Sequence, residues 1–337
     1  MEVAVEGTLK GHKAAIIGLC TASGEGGQLA LTSSEDGSLR VWDLRNRRSV
    51  RAIIPDGVGG DCNGLGACAF LDAARPERAV LVACDSRLLY FDLRGSDQVI
   101  LRSPPTGQAA AGEDINDFAV SQEAGLVAIP TDANDVQVLS SSDLSVLRTM
   151  AKGHNNIVGC ARFRPGAGGG DLELFTGGFD ERLVQWNPLT GKMRATLHAK
   201  RLQPSDDEEG GNPAQVINPP FVLSLAVGRK GELGVGLGNG SIVVLSPERL
   251  PHGEAPWHAV QAHMAPTDCL SWLPSLEGPQ QVLASAGRDC KLCLWAMAAG
   301  RSKKGSSSQP LQRLCQVQLP AKVNSMATSP EGSILIA

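Results

Sequence analysis

Three groups of residues in this chain have the makings of a hydrolytic triad. His12, Thr32 and Asp36 form one, His154, Thr176 and Asp180 a second, and His263, Ser285 and Asp289 a third. Each combines a hydroxyl, an imidazole and a carboxylate, the groups that activate a nucleophile by general-base catalysis. In every group the hydroxyl precedes the carboxylate by four residues, and a tryptophan (Trp42, Trp186 or Trp295) follows it by six. A working triad needs one exposed nucleophile and an oxyanion hole. A trio that recurs three times, always beside a tryptophan, reads instead as a repeated structural part.

Two other stretches invite a chemical reading and lose it on inspection. The run GVGLGNG at 234–240 resembles a phosphate loop, but it spans a strand and its hairpin turn with no helix following, so it matches neither dinucleotide nor P-loop geometry. Cys290 and Cys293 make a CxxC pair without the second pair that a structural zinc site needs. The nine cysteines are odd in number and irregular in spacing, and several sit in apolar runs. They are expected to be reduced, buried thiols of a cytoplasmic or nuclear protein. No cofactor and no metal is expected.

The elements that must position these residues are short strands. Apolar or aromatic residues close a common motif at Trp42, Phe91, Leu139, Trp186, Leu245 and Trp295, at intervals of 49, 48, 47, 59 and 50 residues. Such a period marks a repeat architecture. The first unit parses into AAIIGLC (14–20), QLALTSS (28–34), SLRVWDL (38–44) and SVRAII (49–54), joined by Gly- and Asp-rich turns, which are hairpin signals. A lone four-stranded sheet exposes both faces. Sheets stacked radially bury one another's faces and keep only short edges, which makes a β-propeller.

With His, hydroxyl, Asp and Trp in register, and Gly before His12 and His154, the chain resembles the WD-repeat family. The resemblance implies an all-β, seven-bladed propeller, in which Asp holds the His, the His meets the hydroxyl and the hydroxyl meets the indole N–H. Units two, three and five depart from the pattern, with Phe91, Leu139 and Leu245 in place of Trp and Asn239 in place of the turn Asp. The expected organisation is one domain over 1–337, with repeats at approximately 11–55, 60–104, 113–152, 153–200, 217–263 and 264–320. A partial seventh at 321–337 is expected to be closed by residues 2–10 as an outermost strand. Its missing third strand suggests a truncated chain.

The scaffold is common property, so function is sought in the links between strands. A net charge of −4 with interleaved signs lacks the basic face of a nucleic-acid binder, and no apolar stretch is long enough for a membrane helix. The insertion over 201–216, with four consecutive acids at 206–209, is expected to be flexible; Ser205 before it is a candidate phosphosite. Arg45 and Arg94 each follow a third strand at one offset, two residues after Asp43 and Asp92. Each aspartate can hold its guanidinium in a fixed fork. Asp-x-Arg at such a corner also occurs in propellers with no shared partner. Two consecutive copies, with Asp36 upstream, resemble the WDxR box of cullin-4 ubiquitin-ligase substrate receptors. That resemblance implies a non-catalytic adaptor, monomeric within a larger complex, docking on the ligase's propeller adaptor through Asp43, Arg45, Asp92 and Arg94. The alternative is a general WD-repeat platform, for histone tails or assembly factors, unrelated to ubiquitin.

Overall fold

A computed structural model describes residues 4–24, 27–56, 64–95, 98–166, 170–202, 218–246, 257–274, 281–297 and 311–337. These residues form β-sheets almost throughout, and the chain divides into two compact units, Ala4–Thr149 with Asn324–Ala337, and Met150–Val323.

In the first unit, sheet 1 holds β1 (Ile16–Gly24), β2 (Gly27–Ser34), β3 (Leu39–Asp43) and β4 (Arg48–Pro55). Sheet 2 holds β5 (Cys68–Phe70), β6 (Ala79–Cys84), β7 (Arg87–Asp92) and β9 (Gly107–Ala110). Between β7 and β9 the chain forms β8 (Ile100–Ser103), which leaves its own sheet and pairs in parallel with β4, making a fifth strand of sheet 1. Sheet 3 is β10 (Ala119–Ser121), β11 (Leu126–Pro130), β12 (Val136–Ser140) and β13 (Val146–Met150). The alternation of apolar residues gives each sheet two packing faces. Leu31, Leu39 and Ile53 of sheet 1 meet Val80, Val82 and Phe91 of sheet 2, while the opposite face of sheet 2, through Leu81 and Leu88, meets Val127 and Leu139 of sheet 3.

The second unit repeats this plan. Sheet 4 is β14 (Val158–Arg164), β15 (Glu173–Gly178), β16 (Arg182–Asn187) and β17 (Lys192–His198), followed by one turn of 3-10 helix, Ala199–Leu202. Sheet 5 is β18 (Val222–Val227), β19 (Leu233–Leu237), β20 (Ser241–Leu245) and β21 (Trp257–Gln261). Sheet 6 is β22 (Thr267–Leu273), β23 (Val282–Gly287), β24 (Lys291–Met297) and β25 (Leu311–Gln318). Two more strands, β26 (Met326–Thr328) and β27 (Ile334–Ile336), form a small sheet in the first unit.

A recurrent bulge joins neighbouring sheets. The register slips at the start of β1, β14, β18 and β22, and a bulge re-aims the side chains beside it. There Ser33 donates its hydroxyl to the carbonyl of Gly66 and Ser224 donates to Thr267 at 3.0 Å. Cys160 and Cys269 place sulfur against the carbonyls of Val222 and Val323 at 3.7 and 3.9 Å. Each bond ties a sheet to the segment that opens the next.

The three polar tetrads lie across these sheets. Trp42 donates its indole N–H to the Thr32 hydroxyl at 2.8 Å, that hydroxyl meets His12 Nε2 at 2.7 Å, and His12 Nδ1 faces Asp36 at 3.1 Å. The second set has 2.8 Å from Trp186 to Thr176, 2.8 Å to His154 and 3.1 Å on to Asp180. In the third, Trp295 reaches Ser285 at 2.9 Å, Ser285 meets His263 at 2.8 Å, and His263 faces Asp289 at 3.0 Å. The carboxylate also takes the backbone N–H after the histidine: Lys13, Asn155 or Met264. In the first two sets the glycine before the histidine has a steric reason: a Cβ on Gly11 or Gly153 would run into the indole ring of Trp42 or Trp186; the third set has Ala262 there. With the hydroxyl committed to Trp and His, it is no nucleophile.

These groups set an acid limit on the fold. Burial lowers the His12 and His263 imidazoles below the ordinary 6.5, although their aspartates pull the other way. Burial alone would raise Asp36, yet hydrogen bonds from Ser38, the Lys13 N–H and His12 hold it well below 3.8, and Asp180 is lowered against its burial by His154 and backbone N–H groups. Below pH 6.5 the unfolded chain takes up protons that the folded histidines refuse, so stability falls. Below 3.8 the aspartates add a second loss of the same sign. The expected result is a Tm that declines steadily from pH 7.5 to 5.0; a flat profile would contradict it.

Three sequence expectations need correction. The outer strand of sheet 2 is β9, beyond residue 104, because β8 is taken by sheet 1. Residues 4–10 form no strand and lie against the turn after β3, where Arg47 bonds the Glu6 carbonyl and faces its carboxylate at 3.5 Å. The β26–β27 sheet has two strands, so it offers no third strand for that segment to flank. Cys84 is not a free thiol but is disulfide-bonded, to a partner outside the described residues.

Candidate partner-docking site

The turns after β3 and β7 carry the two Asp-Leu-Arg boxes. Asp43 accepts the backbone N–H of Arg45 at 2.9 Å, and Asp92 accepts that of Arg94 at 3.0 Å. Aspartate suits this position because its short side chain bonds the backbone two residues on and closes the turn. Both arginines are exposed, so neither is held by the core.

The side chains then part company. Asp92 grips Arg94 from both oxygens, with Nε at 3.0 and 3.1 Å and a terminal guanidinium nitrogen at 2.5 Å. That hydrogen bonding brings the Asp92 carboxyl down to about 2. The same fork was expected at Asp43 and Arg45, and it is absent. Asp43 Oδ2 is taken by the Asn46 amide at 2.7 Å, and Oδ1 also receives the Asn46 N–H at 3.3 Å. In the second box the corresponding residue is Gly95, which has no side-chain amide to compete. One residue beyond each box thus decides which arginine is pinned. Among the described residues Arg45 has no ion-pair partner.

The strand exchange locks the two corners to each other. Arg51 on β4 donates to the Leu93 carbonyl, inside the second box, at 3.1 Å. Ala52 N–H meets the Val99 carbonyl at 2.7 Å, and parallel pairing continues from Ala52–Ile100 to Pro55–Ser103. Leu93 and residues 99–103, on the sheet 2 chain, are therefore anchored to sheet 1 on either side of Arg94. Sequence reading missed this, because Ile100–Ser103 has the pattern of an ordinary outer strand and nothing in it specifies a parallel neighbour. Beside the first box a depression of about 420 Å³ is lined by Asp43, Asn46, Arg48 and Val50.

Ser205 and the rest of the insertion from 203 to 216 lie outside the described residues, as does the basic stretch at 300–308, whereas Arg201 and Leu202 end the 3-10 turn, with Leu202 buried. No group of three or more His, Cys, Asp or Glu side chains that could hold a metal ion occurs among the described residues.

Comparison with known proteins agrees with this architecture. Residues 4–43 match the WD40 family, described as WD domain, G-beta repeat. The chain is 24% identical over 314 residues to the WD repeat-containing protein 53 homolog of Dictyostelium discoideum, covering 90% of this chain and 81% of that one. It is 25% identical over 183 residues to WD repeat-containing protein 37 of Xenopus tropicalis, covering 53% of this chain and 34% of that protein. In three dimensions it matches the crystal structure of the WD40 β-propeller domain of Doa1 with a TM-score of 0.66 at 16% identity, over 97% of this chain and 91% of that one.

Proposed function

We propose that this chain, whose residues 4–43 match the WD40 repeat and whose fold is a β-propeller, is a substrate receptor of a cullin-4 RING ubiquitin ligase, docking on the ligase's propeller adaptor through Arg45 and Arg94. WD40 propellers generally serve as non-catalytic platforms for other proteins. The observation that carries the finer reading is the pair of corners with one backbone design, tied together by β8 and by the Arg51–Leu93 bond. A partner that reads two guanidinium groups needs them at a fixed separation, and the strand exchange supplies it. Arg94 is presented rigidly by Asp92, while Arg45 keeps its guanidinium donors for the partner. The setting proposed for this docking is the cytoplasm or nucleus.

The test is co-purification of tagged protein with the adaptor and cullin, identified by mass spectrometry. Truncation of central arginines at an interface costs about 2 kcal/mol or more, roughly thirtyfold in affinity. Arg45→Ala/Arg94→Ala should therefore lose the adaptor while keeping its Tm, because exposed ion pairs add only about 0–1 kcal/mol to stability. Recovery of the adaptor at wild-type yield by the double variant would refute docking through these corners. Recovery of other proteins but no cullin by the wild type would favour a platform unrelated to ubiquitin.

A further inference from the structure

We propose that Cys20 and Cys68 form a dithiol site that hydroperoxides oxidise to a disulfide between sheets 1 and 2. Cys20 lies on β1 and Cys68 on β5, the first strands of adjoining sheets. Both are free thiols, and Cys20 packs against the core cluster that contains Cys68. Cys20 is the cross-strand partner of Leu31, and the Leu31 carbonyl faces Cys68 Sγ at 3.6 Å.

The backbones are unusually close here, for a reason visible in the sequence. A Cβ on Gly18 would lie 2.6 Å from the Gly66 carbonyl oxygen and 2.9 Å from the Cys68 nitrogen, so only glycine lets β1 and β5 approach this far. A disulfide needs Cα atoms within about 7 Å, and the close approach of β1 and β5 at Gly18 is what such a pair requires. Cys160 and Cys269 show the contrast: each points its sulfur at a carbonyl of the next segment.

The two members have different parts in the chemistry. Cys20 is half-buried and can meet a small oxidant, whereas Cys68 is enclosed. Burial, then the neighbouring Cys20 thiol, pushes Cys68 well above the ordinary thiol range, so it stays protonated until an electrophile appears beside it. Hydrogen peroxide takes two electrons from Cys20 sulfur, giving the sulfenic acid and one water. Cys68 sulfur then attacks the Cys20 sulfur, its proton leaves with the sulfenic hydroxyl as a second water, and the S–S bond forms. Two thiols and one peroxide thus yield one disulfide and two waters. A dithiol reductant reverses the change.

The experiment uses the full chain exposed to graded hydrogen peroxide, alkylated, digested without reductant and mapped by mass spectrometry. The expected result is a Cys20–Cys68 cross-linked peptide that disappears after dithiothreitol, with both residues protected from alkylation together. In Cys68→Ser the cross-link is lost and Cys20 is trapped by dimedone at least several-fold more than in the wild type. Conversely, Cys20→Ser should leave Cys68 alkylated only after unfolding. Peroxide that leaves Cys20 fully alkylatable, or joins it to another cysteine such as Cys84, would overturn the proposal. So would equal dimedone trapping in wild type and Cys68→Ser.

Discussion

Glu173→Ala is expected to destabilise the unit of residues 150–323 by about 3–5 kcal/mol, the cost of stripping the partner from a buried charge. Arg164 is 1% exposed. Its guanidinium meets Glu173 Oε2 through Nε at 2.7 Å and a terminal nitrogen at 2.6 Å. The other oxygen of Glu173 takes the Gln185 amide at 2.7 Å. Without the carboxylate, Arg164 keeps the Gly231 carbonyl at 3.2 Å and the face of the Phe175 ring at 4.5 Å, and neither neutralises it. The shift is read from the midpoint of urea unfolding at constant slope. Arg164→Met/Glu173→Leu should recover most of the loss, since both charges leave together. A double variant less stable than Glu173→Ala would show that the ion pair itself, and not the orphaned charge, sets the cost.

Thr176→Val should cost about 2–6 kcal/mol in the same unit. Valine matches threonine in shape, so packing is kept while the Trp186 N–H loses its acceptor and His154 Nε2 its donor. Each buried polar group left unpaired costs about 1–3 kcal/mol, and Thr176 is fully buried. Thr176→Ser is the control, because Ser285 fills the same role in sheet 6; it should lose about 1 kcal/mol or less, the price of one methyl group. Equal losses in the valine and serine variants would mean that the methyl group, not the hydroxyl, matters here.

The residues behind these two predictions differ in how far the sequence announces them. Thr176 was legible, because hydroxyl, Asp and Trp fall at one spacing three times and a hydrogen-bond chain explains the spacing. Arg164 and Glu173 were not. They meet because they are opposite one another on β14 and β15, a pairing visible only once the register is known. The docking corners fall between. Repetition of Asp-Leu-Arg located Arg45 and Arg94, yet whether the aspartate holds its arginine depends on Asn46 or Gly95, one position past the repeated motif. The path of β8 was hidden for a related reason: hydrophobic alternation tells which residues of a strand face inward, but not which sheet the strand joins. Where repeats obey a common pattern, spacing is enough. Where they depart from it, the deciding contact lies outside the pattern.

The wandering of β8 also bears on how such a chain can be inherited. Repeats are ordinarily interchangeable parts, each copied, lost or swapped without troubling its neighbour. Here the second has lent a strand to the first, so deleting either leaves a ragged edge on the one that survives. A recombination breakpoint between residues 55 and 100 would sever that loan, so a viable exchange has to move these two modules as a single piece, arginines included.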